Sequence, residues 1–419
     1  MSVRSCSIRS KRLRVISLMI VVVLTTVWVA GCSSDNPGAM RKQSVADSGS
    51  TRVPQKLSPD PTPTEKPTQS ATKSSKDDNV PVTLSSSKQP VRAIYVTSHV
   101  VNGSRLRQLI DLVKTTELNA MVVDVNSGVS LVAPTRSGNK ADYTTLTWSD
   151  RKSALHFRQT IKQLKNEGIY LIARIVTFKN PELAKAMPSW AIKRKDGSVW
   201  RDRSGTPWID PYKQEAWEYS LALAEKAAEL GFDEVQYDYV RFPENAAQVD
   251  KIVAYANGGG WNKSDAIRKF LHRANVRAHK HGARVSADVF GMVGSSDDDM
   301  GIGQKWDAIA PEVDMISPMI YPSHYSKGMW GIDHPDLRPG AIIAHALKDA
   351  DKRNRRLNEK GIKTAAVRPW LQGFTAGWVH PHQKYDEKQI REQIVAASKA
   401  GINSYMLWNA SCKYPRFTT

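Results

Sequence analysis

The chain has 419 residues, of which 41% are hydrophobic and 24% charged, and a chain of this size buries about three quarters of its unfolded surface in a core. Residues 1–90 hold 13 Lys/Arg against 6 Asp/Glu, so +12 of the formal +19 lies on residues 91–419, an excess that suits an exported protein beside anionic phospholipid or wall polymer. No RNP-type aromatic strand, zinc-finger spacing or other nucleic-acid module accompanies that charge, which excludes nucleic acid as a partner.

In chain order, the first predicted element is a leader. Arg9, Lys11, Arg12 and Arg14 precede an uncharged apolar run over residues 15–30. A basic start, an apolar core and small residues at its end make a secretion signal, and the run falls short of the roughly 20 residues of a comfortable membrane span. The stretch Val29-Ala30-Gly31-Cys32 resembles the bacterial lipobox, in which cleavage leaves the Cys as a diacylated first residue. Residues 1–31 are therefore expected as a lipoprotein signal peptide. Cys32 is the expected lipidation site, and the protein is expected to be exported and anchored to the outer face of the bacterial cell membrane.

Of the three cysteines, Cys6 would leave with the leader and Cys32 would carry lipid, so Cys412 alone remains and no internal disulfide forms. Residues 32–90 turn to Ser, Thr, Pro, Lys and Asp. That composition holds too little apolar surface to offset the entropy of ordering, and it reads as an extended, disordered tether.

From Val91 onward, β-branched runs alternate with helical patterns, the signature of parallel β/α units. Eight runs occur, over residues 91–97, 120–126, 169–178, 234–239, 283–290, 314–321, 366–374 and 403–409. Helical patterns lie over residues 104–115, 154–167, 214–230, 263–281 and 387–400. Gly168, Gly231, Gly282, Gly361 and Gly401 stand where helices hand over to strands, as a left-handed C-cap requires. The expected fold is an α/β (β/α)8 TIM barrel over residues 91–419. A doubly wound open sheet is disfavoured because no Gly-rich phosphate loop follows the first run. Long inserts are expected after the third, fourth and sixth strands, over residues 179–208, 244–261 and 322–339.

Chemistry in a parallel barrel sits at the C-terminal ends of its strands. Those ends carry His99, Asp124, Asn126, Arg174, Asp238, Arg241, Asp288, Tyr321, Gln372, Trp408 and Asn409. Asp238 closes Gly231-Phe-Asp-Glu-Val-Gln-Tyr-Asp-Tyr-Val-Arg-Phe-Pro243, and Asp288 closes Val285-Ser-Ala-Asp288 one strand later. Carboxylates on adjacent strands lie one or two spacings of roughly 5 Å apart, the range over which a carboxyl pair hydrolyses a glycosidic bond. Such a pair also has its pKa values driven apart, leaving one member protonated.

Arg174 and Arg241 read as ion partners of these carboxylates or as substrate contacts. Trp190, Trp208, Tyr321, Trp370 and Trp408 offer faces for a pyranose ring or serve the core. Asp233 and Glu234 start the fourth strand and read as structural. His99, His324 and His380 lack metal-ligand spacing, and residues 297–299 read as a solvated acidic loop, so no metal and no cofactor is expected.

The stretches Arg92-Ala-Ile-Tyr-Val, Asn119-Ala-Met-Val-Val-Asp124-Val, Ile172-Ala-Arg174-Ile-Val, Ile316-Ser-Pro-Met-Ile-Tyr321-Pro and Leu407-Trp-Asn, with the two carboxylate motifs, resemble the "Putative glycosyl hydrolase domain" family of exported bacterial proteins. That group of TIM barrels is distantly related to α-amylase-type and α-galactosidase-type barrels. The resemblance implies a glycoside hydrolase acting on a cell-wall peptidoglycan glycan or an extracellular polysaccharide. By analogy, Asp238 is the nucleophile and Asp288 the acid/base, although amylase-type barrels carry Glu where this chain has Asp288. Asp124 is the alternative second carboxylate or a sugar contact, and Asn126, Arg174, Arg241, Tyr321, Gln372, Trp408 and Asn409 are expected to bind substrate. The competing function is a carbohydrate-binding or wall-organising lipoprotein without turnover.

Overall fold

The structure is a computed structural model that describes residues 89–127, 135–137, 140–142 and 151–416, together with Leu84 and Ser87. The leader, Cys32 and nearly all of the tether lie outside the described residues.

Eight parallel strands close into a barrel. They are β1 (Arg92–Val96), β2 (Ala120–Asp124), β3 (Tyr170–Val176), β4 (Glu234–Asp238), β5 (Arg284–Phe290), β6 (Met315–Ile320), β7 in two pieces (Ala366–Val367 and Trp370–Gln372) and β8 (Tyr405–Trp408). Each pairs with the next, and β8 returns to β1 through Arg92 beside Tyr405 and Ile94 beside Leu407. The break in β7 falls at Pro369, which has no N–H to give to the ladder. The strands are buried on both faces and so read as near-continuous apolar runs, as expected when helices cover a parallel sheet.

The helices of the outer ring are α1 (Leu106–Thr115), α2 (Arg151–Asn166), α3 (Gln214–Glu229), α4 (Lys263–Lys280), α5 (Pro339–Glu359) and α6 (Glu387–Lys399). Their starts follow local chemistry: the Asn262 side chain accepts from Asp265 N at 2.8 Å to cap α4, and α5 opens on Pro339, whose missing N–H is spare at that position. Phe270 of α4 meets Phe178, Trp217 and Tyr237 edge-on at 5.3, 5.7 and 5.2 Å, which locks α3 and α4 onto β3 and β4.

Two connections between strands take a form that the sequence left open. The helix that Gly361 closes spans 21 residues, 339–359, and begins directly at the end of the expected 322–339 insert. Between β5 and β6 the longest helix is Trp306–Ile309, so that side of the barrel is covered by loops.

The inserts after β3 and β4 are tied together, since Lys193–Arg194 pairs antiparallel with Val253–Ala254. Trp190, Trp200 and Trp208 are buried in the β3 insert and form its core, and the Trp208 indole donates to Asp202 at 3.0 Å. At the opposite end of the barrel, Glu234 is fully buried against Arg368 and accepts from the Tyr170 hydroxyl at 3.2 Å. Asp233 pairs with Lys165 at 2.6 Å. Both carboxylates are structural at that end of the barrel.

Candidate active site

Strand register brings the carboxylates together. Tyr237 of β4 lies beside Ala287 of β5, so the next step puts Asp238 beside Asp288, with backbones about 5 Å apart. The outward alternates Tyr237 and Ala287 are buried under helices, which sends both Asp side chains inward. Likewise Asp124 of β2 lies beside Arg174 of β3.

Arg174 is the hub. Its Nη1 donates to Asp124 Oδ1 at 2.5 Å, and its Nε and Nη2 both donate to Asp238 Oδ2, at 3.0 and 2.5 Å. The guanidinium also lies 5.5 Å from the Tyr95 ring and 5.2 Å from the Trp408 ring. The other oxygen of Asp124 accepts from the Tyr95 hydroxyl at 2.5 Å. Asp238 Oδ1 accepts from Tyr239 N at 2.6 Å, where Tyr239 takes a left-handed backbone, φ 50°. A non-glycine residue in that region carries strain of the kind found at functional sites.

Asp288 has different surroundings. It is 1% exposed, and its one side-chain hydrogen bond among the described residues comes from the Trp370 indole at 2.8 Å. Burial pushes its carboxyl well above the ordinary range, and the charge of Asp238 adds to that; the Trp370 bond and the charges of Arg174 and Arg368 oppose it. A carboxyl that burial pushes toward its protonated form therefore stands beside an ion-paired carboxylate, an arrangement that suits an acid and a nucleophile or base.

Tyr321 ends β6 at the same mouth. Burial, then the charges of Asp288 and Asp238, raise its phenol far above the usual value, so it stays protonated. Trp408 is half-buried and packs on Tyr95 at 4.1 Å and on Trp370 at 5.5 Å. Of the expected aromatic faces, Trp370 is spent on Asp288 and Trp208 on the β3 insert.

Several residues expected to meet substrate are engaged inside the chain. Asn126 exchanges both amide atoms with the Val176 backbone at 2.9 Å. Gln372 is fully buried; its Oε1 accepts from Ser323 N and Oγ, and its Nε2 donates to Asp336 and to Phe374 O. Asn409 bonds Gly373 O, Lys413 O and both polar groups of Ser411. Arg241 donates to Phe242 O and pairs with Glu244 at 2.8 Å, sandwiched among Phe290, Trp208 and Tyr239. These four build the rim, and Asp124 positions Arg174 with both oxygens occupied. His99 is exposed on a short helix after β1. Two contributors escape a sequence reading: Tyr95, which hides in an apolar run, and Trp370 as a donor to Asp288 rather than a sugar face. Their signal is the inward parity of strand positions, which becomes usable once the register is known.

Among solved structures, the glycoside hydrolase domain of PgaB (BpsB) from Bordetella bronchiseptica is 13% identical, with TM-score 0.50, over 77% of this chain and 95% of that one. A β-galactosidase from Marinomonas ef1 is 14% identical, with TM-score 0.51, over 76% of this chain and 54% of that one. At these identities the likeness is one of fold. A hypothetical protein from Ruminiclostridium thermocellum is 29% identical over 50% of this chain and 98% of that one, with TM-score 0.38. No curated protein sequence matches. Residues 93–414, nearly the whole barrel, match one family model, and the chain belongs to the family described as "Putative glycosyl hydrolase domain".

Proposed function

We propose that the protein is a glycoside hydrolase that cleaves a cell-wall or extracellular polysaccharide with Asp238 and Asp288, working outside the cell from a lipid anchor on Cys32. The observation that carries the reading is the unequal carboxyl pair: Asp288 buried with a single indole donor, so that burial raises its pKa, and Asp238 beside it in the register and bound to Arg174 and Tyr239 N. In this mechanism Asp288 donates its proton to the leaving glycosidic oxygen, and Asp238 attacks the anomeric carbon as that bond breaks. Water then enters, Asp288 takes its proton, and the glycosyl bond to Asp238 is released. Tyr321 and Trp408 border the sugar, while Arg174 and Asp124 fix the approach of Asp238.

The test is an Asn substitution at each carboxylate, assayed on a broad panel of polysaccharides and peptidoglycan by release of reducing ends. Each variant is expected to lose about a hundredfold to ten-thousandfold in rate. Azide is expected to restore turnover in Asp238→Asn with a glycosyl azide as product, which marks the nucleophile. Wild-type rates in both variants would overturn the assignment, and a parent that binds glycans but cleaves none of the panel would favour the binding-lipoprotein reading.

A further inference from the structure

A line of rings runs outward from the carboxylates along the loops after β6 and β7. Tyr321 meets Phe374 edge-on at 5.7 Å and His324 at 5.4 Å. Phe374 lies nearly parallel to Trp378, with centroids 6.1 Å apart and 19° between planes. His324 stands edge-on to both, at 6.3 and 6.5 Å. Exposure rises along the line, from Tyr321 at 8%, through half-buried Phe374 and His324, to Trp378 at 55%. Burial drives the His324 imidazole down to about 4, so the line carries no charge at neutral pH.

The line is also held in place. The one buried amide of Gln372 grips Ser323, next to His324, and the carbonyl of Phe374, so both loops are fixed to each other before any ligand arrives. Preorganised rings lose little entropy on binding. Apolar ring faces suit the C–H face of a pyranose.

We propose that Phe374 and Trp378 form a binding strip for successive pyranose rings of a glycan chain, leading away from the cleaved bond over the β6 and β7 side of the mouth. The proposal rests on the hydrolase reading and makes the substrate an extended chain rather than a disaccharide. Gln372 is then a positioning residue for the strip.

The test measures binding by calorimetry to full-length protein carrying Asp288→Asn, with and without Trp378→Ala, and with exposed Val395→Ala on α6 as the control. The probes are cello-, xylo-, manno- and chitohexaose and the matching disaccharides. A bound hexaose is expected to lose about tenfold in affinity on Trp378→Ala, more than its disaccharide loses, and Trp378→Phe is expected to recover most of it. Equal hexaose affinity with and without Trp378 overturns the strip. If no hexaose binds but the parent cleaves a polysaccharide, the same comparison is made on KM for that polymer, and an equal KM overturns the strip alone. Failure of every sugar to bind, with no cleavage by the parent, removes the hydrolase reading and the strip with it.

Discussion

Arg174 serves two carboxylates at once, and Asp288 is left outside that arrangement with a single indole donor. The consequence is a pH signature. An Asp whose folded pKa is raised holds its proton above about 3.9, where the unfolded chain has already lost it. The contribution of Asp288 to stability is therefore fully present below that value and is lost as pH rises toward its folded pKa. Asp288→Asn does not titrate, so its melting temperature relative to the parent is expected to climb as pH rises above about 4. Over the same range kcat/KM of the parent is expected to fall on an alkaline limb as the acid is lost. A melting difference independent of pH would sink the protonated Asp288. Asp238 and Asp288 are legible in sequence because a carboxylate closing an apolar strand is itself the signal. Asn126, Gln372 and Asn409 pass the same filter and are engaged inside the chain; the partners Val176 of Asn126, Ser323 of Gln372 and Gly373 of Asn409 lie on other strands and loops that no local pattern connects. Tyr95 fails the filter only because its ring counts as apolar.

Phe270 shows how the elements hold the site. It is fully buried where α3, α4, β4 and the segment just after β3 meet, beside the two strands that carry Arg174 and Asp238. Phe270→Ala is expected to destabilise the protein by about 3–5 kcal/mol, read as a lower urea midpoint with a similar m-value; a loss under about 1 kcal/mol would mean that the cluster collapses to fill the gap. All eight strands are readable from the sequence because their apolar runs are separated by helices and glycines. Helix α5 is legible only at its end, through Gly361, although its other signals are present. Ile342, Ile343, Ala346, Leu347, Ala350 and Leu357 share its buried face, and Gly361 follows its end at φ 75°. The highly charged second half of the helix dilutes that stripe, and the preceding insert draws attention to loop chemistry.

Across the whole molecule, the basic excess and the leader motif give the proposed anchor its own test. Cys32→Ser is expected to abolish labelling by a fatty-acid analogue and to leave the precursor unprocessed on a gel; a labelled mutant would defeat the anchor while leaving the barrel untouched.

The return of β8 to β1 has a kinetic side. The contact that seals the cylinder, Val91 N to Ser404 Oγ, joins positions 313 residues apart, and closing a loop of that length costs on the order of 5 kcal/mol of chain entropy. Helices and neighbouring β/α units form from local contacts, but this seam waits for the last strand to become available. Until then β1 and β7 each present an unpaired parallel edge, the kind of surface that recruits other chains. A chain short of that closure has those two edges open to other copies until Tyr405–Trp408 arrives.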